Sequence, residues 1–306
     1  MTTVWMFPGQ GAQRRGMGAE LFDRFPAEVE LADEVLGYST RELCLADPSG
    51  QLQLTQFVQP VLFLVNALTW MAHRQEHPEP GYLVGHSLGE FNALLAAGVF
   101  DLETGVRLVR RRGELMSRAT GGSMLAVVGP EVGRRIPELL ATARIDDVDV
   151  ANLNSAEQLV LAGPVDALEA VSALVIRAGA GRCRALKVSA AFHSRYMAAA
   201  AGDFAGFLAG VPLGPPRLPV IANVTAQPYQ PGQVGETLVR QIGSSVRWAD
   251  SMAYLVAHGV HDAVELGPGT VLSRLWAAAV AAGAVSPIDP PGAAVPAEAG
   301  GAGLAS

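Results

Sequence analysis

Residues 81–90 read GYLVGHSLGE: an apolar strand runs into a helix-forming stretch through a turn whose glycines, 85 and 89, stand two residues either side of Ser87. Few folds accept this spacing. The turn is so tight that a side chain at either glycine would collide with neighbouring backbone. One serine is therefore held on a strained strand-to-helix corner, its hydroxyl lifted clear of a sheet. The amide N–H of Leu88, at the positive end of the following helix, then faces an oxygen carrying developing negative charge. Acyl transfer is the chemistry this corner suits.

The elements around the corner set the fold class. VWMFPGQGAQ is a short buried-type strand entering a Gly-rich turn, and residues 17–37 carry helical periodicity through Met17, Leu21, Phe22 and Phe25. Residues 57–73 form a helix apolar on most sides and hence buried, with Pro60 tolerated in its first turn. The corner strand follows, then a helix over 89–97 stopped by Gly98, then a helix over 102–118 N-capped by Asp101. Alternating strand and helix predicts an α/β fold with a parallel sheet covered on both faces. Over 123–190 the texture changes to β-α-β-β-α-β, the order of a ferredoxin-like unit inserted in the larger one. The chain then returns with helix near 194–210, strand near 218–222, helices over 234–241 and 249–258, strand DAVEL and a helix over 270–282. The predicted division is a discontinuous large domain, 1–120 and 194–286, a small domain, 121–193, and a Pro/Gly/Ala-rich disordered tail, 287–306.

Composition bounds the function. With 306 residues, 50% hydrophobic and 17% charged, the chain can bury a large core. Its apolar stretches are too short or too broken by glycine to cross a bilayer, and the start MTTVWMFPGQG has no basic leader, so a cytoplasmic location is expected. A net charge of −7 argues against nucleic acid as the main partner. Cys44 and Cys183 have no metal-binding spacing and are expected as reduced thiols, with neither metal nor bound cofactor. Arg110, Arg111, Arg112 and Arg118, and again Arg182, Arg184, Lys187 and Arg195, form either local positive patches or solvated faces. No dimer seam is legible, which leaves a monomer as the expectation.

A serine hydroxyl needs a base near neutral pH, usually a histidine within hydrogen-bond reach. His86 should point away from Ser87 and pack or stabilise the turn. His73, His77, His258 and His261 read as surface or C-capping residues. His193, in VSAAFHSRYM where the small domain hands the chain back, is placed to face a cleft between domains. PGQGAQ, after the first strand, offers a second oxyanion donor, with the N–H of Gln10 as the candidate. ELGPG, at 265–269, reads either as a strand-to-helix turn or as part of the site.

FPGQGAQ, TQFVQPVLF, GHSLGE, RRRGELM, VANLNSAEQLVLAG, AAFHS, SSVRW and ELGPG together, in this order over about residues 3–280, resemble the malonyl-CoA:acyl carrier protein acyltransferase family. The resemblance implies an α/β-hydrolase-like large domain with a ferredoxin-like insert. It also implies Ser87 as the acylated serine, His193 as the catalytic histidine, Gln10 and Leu88 as the oxyanion-hole N–H donors, and Arg112 as the arginine holding the malonyl carboxylate. Asn154 matches a polar residue at the cleft. The family orients its histidine by a main-chain carbonyl, expected here from the region Ser245–Trp248 and specifically from Arg247. A planar guanidinium that takes both carboxylate oxygens would align the thioester over Ser87 and reject acyl groups lacking the charge.

The implied cycle is ping-pong: malonyl-CoA is the substrate, and the phosphopantetheine thiol of an acyl carrier protein takes the malonyl group from Ser87. AAFHSRYM and EFNALLAAGVFDLETG look most like discrete acyltransferases serving modular polyketide synthases in trans, and no fused ketosynthase or carrier segment is present in the sequence. Phe192 before His193 resembles the malonyl-selective pattern, a bulky ring narrowing the space beside the acyl Cα. Three alternatives stand beside this reading: malonyl loading in fatty-acid synthesis, a proofreading acyl hydrolase, whose relatives tend to lack an arginine at position 112, and a non-catalytic carrier-protein docking module.

Overall fold

The computed structural model describes residues 2–283, so the tail expected over 287–306 lies outside the described residues. In chain order the strands among them are β1 (Thr2–Phe7), β2 (Tyr82–Gly85), β3 (Ser123–Val128), β4 (Asp149–Ser155), β5 (Gln158–Gly163), β6 (Arg182–Ala185), β7 (Val220–Ile221) and β8 (Val260–Glu265). They form two sheets. The first, in the order β7-β2-β1-β8, is parallel throughout. The second, in the order β4-β5-β3-β6, is antiparallel throughout.

The central strands of the parallel sheet are buried on both faces where they are apolar, over Val4–Phe7 of β1 and Leu83–Gly85 of β2. Successive side chains of β1 point to opposite faces. Trp5 and Phe7 pack into the larger core with Phe63, Leu88, Phe91 and Val109, while Val4 and Met6 pack into a second core with Val84, Trp248, Met252 and Leu272. Helices Thr55–His73, Gly89–Ala96 and Leu102–Ser117 cover the first face, and helices Trp248–Ala257 and Val271–Ala281 cover the second. At about 1.5–3 kcal/mol for each large apolar side chain, this burial is the main stabilising term.

The inserted unit has its own core, in which Leu125, Val127, Leu159 and Leu161 meet Ile136, Leu140, Val171 and Val175 of helices Val132–Ala143 and Val165–Arg177. Within the unit the strand order is second, third, first, fourth, as a ferredoxin-like β-α-β-β-α-β chain requires. Its edge strand β4 continues into the large lobe. Val246 N–H donates to Ala151 O (2.9 Å) and Leu153 N–H donates to Val246 O (2.9 Å).

Several boundaries differ from the sequence expectation. The helix expected over 17–37 is two helices, Ala19–Phe22 and Pro26–Leu36. Pro26 cannot donate to a preceding turn and pushes Phe25 out of the helical region, to φ −130°, so the second helix begins at the proline. A further short helix, Thr40–Leu45, starts where Ser39 accepts from Glu42 N–H (3.2 Å). Helix Thr55–His73 begins two residues early, which puts Pro60 in its second turn. The strand expected over 218–222 shortens to Val220–Ile221. No helix among the described residues is long and apolar enough to cross a membrane.

Candidate active site

Pairing of Phe7 with Gly85, Met6 with Glu265 and Val84 with Ile221 brings the ends of all four parallel strands to one edge. The loops leaving that edge carry Gln10, Ser87, Asn223 and Gly267. Open parallel sheets bind ligands at this edge. Ser87 has φ +52°, a left-handed conformation rare for a residue with a side chain. A Cβ at Gly85 would run into Gly89 and Glu90 backbone, and one at Gly89 into Phe7 carbonyl, so the corner closes only with glycine at both positions. The N–H groups of Gln10 and Leu88 meet no protein acceptor among the described residues. Gly9 packs on the carbonyl of His86, which seats the Gln10 loop against the corner.

His193 also has a positive φ, +57°, and lies after β6, where the inserted unit hands the chain back. Ser87 Oγ–H donates to His193 Nε2 at 2.6 Å, while His193 Nδ1–H donates to the carbonyl of Gln241 at 2.9 Å. A carbonyl can only accept, so it fixes the proton on Nδ1 and leaves Nε2 free to accept from the serine. Burial, reinforced by the Arg112 charge, pushes His193 down to about 3, and the imidazole is neutral at pH 7.

The expectation that Arg247 supplies the orienting carbonyl is corrected. The Arg247 carbonyl accepts from Ser251 N–H (3.0 Å) and Ser251 Oγ–H (2.9 Å) at the start of helix Trp248–Ala257, and its own N–H donates to Asn223 O (2.9 Å). It has nothing left for the imidazole. Gln241 lies in the last turn of helix Val234–Gly243, where carbonyls lose their intrahelical partners and can turn to another donor.

Arg112 is fully buried in helix Leu102–Ser117 with its guanidinium over the Phe91 ring (5.6 Å to the centroid), yet all its hydrogen-bond acceptors are neutral oxygens. Its guanidinium donates to Gln59 Oε1 (2.8 Å), Gln241 Oε1 (2.9 Å) and Ser87 Oγ (3.1 Å), and its Nε–H has no hydrogen-bond partner among the described residues. Burial lowers its pKa to about 10, so it stays charged at neutral pH. A buried cation with an unused donor beside a nucleophile is a site prepared for an anion.

Behind the serine, Glu90 and Gln241 are fully buried and Asn223 nearly so. Asn223 Oδ1 accepts from Ser87 N–H (2.7 Å) and its Nδ2 donates to Gly85 O (2.7 Å). Gln241 Nε2 donates to Ser87 O (2.7 Å) and Glu90 Oε2 (2.8 Å). Burial raises Glu90 to about 7 against the opposing pull of its donors. Glu90, Gln241, Asn223 and Gln59 are functional-site residues that the sequence analysis does not single out. The available signal was polar residues set among apolar ones in EFNALLA, LVRQIG, VIANV and FVQPVLF, because a buried polar group needs a partner.

The remaining candidates separate. Asn154 Oδ1 accepts from His86 Nε2–H (2.9 Å), so this residue ties the corner to the small domain. His86 faces away from the serine and tilts against Trp248, ring centroids 5.3 Å apart. Phe192 is buried in the larger core. ELGPG is a structural turn: Gly267 packs on Pro8 and Asn66, and Glu265 accepts from Leu272 N–H (3.1 Å) and Ser273 N–H (2.8 Å) at the next helix start. Of the arginine patches, Arg110 and Arg111 pair with Glu114 and Arg195 with Asp149. Arg118, Arg182, Arg184 and Lys187 are exposed and outside the ion pairs seen among the described residues.

A family model described as an acyl transferase domain matches residues 4–289. The chain belongs to this family. It is 46% identical over 274 residues to the polyketide biosynthesis malonyl CoA-acyl carrier protein transacylase PksC of Bacillus subtilis, covering 89% of this chain and 95% of that one. It is equally identical over 273 residues to the polyketide biosynthesis protein ThaF of Burkholderia thailandensis, but spans only 24% of that longer protein. The crystal structure of a malonyl CoA-acyl carrier protein transacylase from Burkholderia pseudomallei superposes with a TM-score of 0.88 at 46% identity, over 92% of this chain and 98% of that one. A malonyl-transacylase solved in complex with a type II polyketide acyl carrier protein superposes with a TM-score of 0.84 at 34% identity, over 92% and 94%.

Proposed function

We propose that this acyltransferase moves a malonyl group from malonyl-CoA to the phosphopantetheine thiol of an acyl carrier protein through an acyl-Ser87 intermediate. The observation that carries the reading is Arg112, a buried cation with no anion among its hydrogen-bond partners, 3.1 Å from the serine it would serve. As Ser87 Oγ bonds to the thioester carbon, His193 Nε2 takes its proton, and the N–H groups of Gln10 and Leu88 receive the oxyanion. The C–S bond then breaks and the proton passes to the CoA sulfur. The carrier thiol reverses these steps, its proton going to His193 and the malonyl carbon to its sulfur. Atoms balance with no further cofactor: the pantetheine thiol of CoA leaves with the donor, and the accepting phosphopantetheine arrives on the carrier.

Arg112 holds the malonyl carboxylate with the Nε–H now unused and the donor now given to Ser87. Phe192, immediately before His193, limits substitution at the acyl Cα, and Asn154 acts through His86 on the shape of the cleft. Likeness to PksC, together with AAFHSRYM, supports a cytoplasmic enzyme that meets the carrier of a polyketide synthase in trans. Incubation with labelled malonyl-CoA, with and without carrier protein, tests the reading. Label is expected on Ser87 by intact mass, and then on the carrier. Release mainly as free malonate would make the protein a hydrolase, and label on neither would make it a docking module. A covalent malonyl adduct on Ser87→Ala would overturn the mechanism.

A further inference from the structure

Glu90 is a fully buried carboxyl three residues beyond Ser87, and the acyl-transfer steps do not call on it. Its Oε1 accepts from Tyr229 Oη–H (2.6 Å) and Asn223 N–H (3.1 Å), and its Oε2 from Gln241 Nε2–H (2.8 Å). Two of these donors belong to the residues that grip the strained serine. Asn223 takes the Ser87 N–H and Gln241 takes the Ser87 carbonyl, so both backbone polar groups of the nucleophile are tied to residues that Glu90 holds.

The same contacts fix a direction. A carboxylate only accepts and a guanidinium only donates. Gln241 lies between Glu90 and Arg112, so its Nε2 must face the carboxylate and its Oε1 must face Arg112. The main-chain carbonyl of Gln241 meanwhile orients His193. Were filling space the only demand, an apolar side chain would cost less than a buried carboxyl.

We propose that Glu90, as the carboxylate, is the positioning residue of this site: through Gln241 and Asn223 it holds Ser87 in its left-handed conformation and keeps Arg112 and His193 aimed at the serine. The inference rests on the acyl-Ser87 reading above. The charged and titratable groups facing this cluster are Arg112 from helix Leu102–Ser117, Tyr229 from the segment after β7, and His193 on the far side of Gln241. Protonation would put a hydrogen on an oxygen that already accepts one, and the grip would loosen. Glu90 takes its proton near pH 7, whereas His193 stays neutral far below that, so the acid limb of Ser87 acylation near neutrality belongs to Glu90.

The test is the rate of acyl-Ser87 formation at saturating malonyl-CoA, followed by quenched-flow intact mass from pH 5.5 to 8.5. Glu90→Gln is expected to acylate about 10–100-fold more slowly at pH 8, as loss of charge-assisted hydrogen bonds implies, and to show no acid limb near 7. Tyr229→Phe removes a donor that lowers the Glu90 pKa and should move the limb up by about one pH unit. A merely structural Glu90 would lower the acylating fraction and the melting temperature, leaving the rate profile of the remaining protein unchanged. That result, a wild-type rate in Glu90→Gln, or an unmoved limb in Tyr229→Phe would overturn the inference. Should Glu90→Gln fail to fold, Tyr229→Phe decides alone. Absence of any adduct on wild-type Ser87 would instead sink the acyl-transfer reading.

Discussion

Arg112 is the residue on which the proposed selectivity rests, because its charge is buried and its hydrogen-bond acceptors are neutral. Removing a buried hydrogen-bonded charge partner costs about 3–5 kcal/mol, so Arg112→Ala should lower kcat/KM for malonyl-CoA by about 10²–10³-fold or more. The same variant should lose little toward acetyl-CoA, which has no carboxylate to hold. Parallel stopped-flow acylation with the two esters checks this, and equal losses on both would make Arg112 a structural residue. Phe192 predicts malonyl over methylmalonyl, and comparable acylation rates with the two would remove it as a selector. Ser87, His193 and Arg112 were legible in the sequence because each stands in a short motif, and the structure brings both His193 and Arg112 within hydrogen-bond reach of Ser87. The orienting carbonyl was not legible. Which C=O faces an imidazole depends on where helix Val234–Gly243 ends in space, and Arg247 spends its carbonyl on the next helix. Glu90 stood in plain view inside GHSLGE, but its partners, Asn223, Tyr229 and Gln241, lie more than a hundred residues away.

Elements position these residues with unequal tolerance. The helix that carries Arg112 is N-capped by Asp101, which accepts from Thr104 N–H at 2.9 Å. Asp101→Ala should cost about 1 kcal/mol and lower the melting temperature by about 2 °C, with malonylation intact, because the cap is about three turns from Arg112 in a helix anchored by packing. The corner has no such margin. Gly85→Ala or Gly89→Ala would drive a methyl group into backbone atoms, which cannot yield as a flexible side chain can, so soluble folded protein is expected to be lost. Soluble expression and circular dichroism of the variants distinguish the two cases. Patterning read the order of elements well: parallel strands alternating with helices, then the ferredoxin-like unit, reflect periods of 2 and 3.6 that burial imposes directly. Boundaries went astray where one residue outweighed periodicity, as Pro26 does in dividing a helix, or where a strand is as short as Val220–Ile221.

Across the whole molecule, the inserted unit keeps a core of its own, but the larger core also reaches it through Met124, Ala151, Val160 and Ala162, and the Val246 backbone, the His86–Asn154 bond and the Arg195–Asp149 pair add polar links along the same seam. The candidate site lies beside this seam and places two buried titratable groups with opposite effects on global stability. His193 binds its proton near 3 when folded and near 6.5 when unfolded, so the unfolded chain holds more protons between those values. The stability this contributes is complete above about pH 6.5 and is lost as pH falls toward 3. Glu90 binds its proton near 7 when folded, against 4.5 for an unperturbed glutamate, so here the folded chain holds more protons and stability falls as pH rises from 4.5 through 7. Between about 4.5 and 6.5 the two slopes oppose each other. Scanning calorimetry at pH 5 and pH 7 should therefore separate the variants by sign: on acidification His193→Gln gains melting temperature relative to wild type, and Glu90→Gln loses it. Identical pH responses in both variants would mean that neither group is held away from its ordinary protonation by the folded protein.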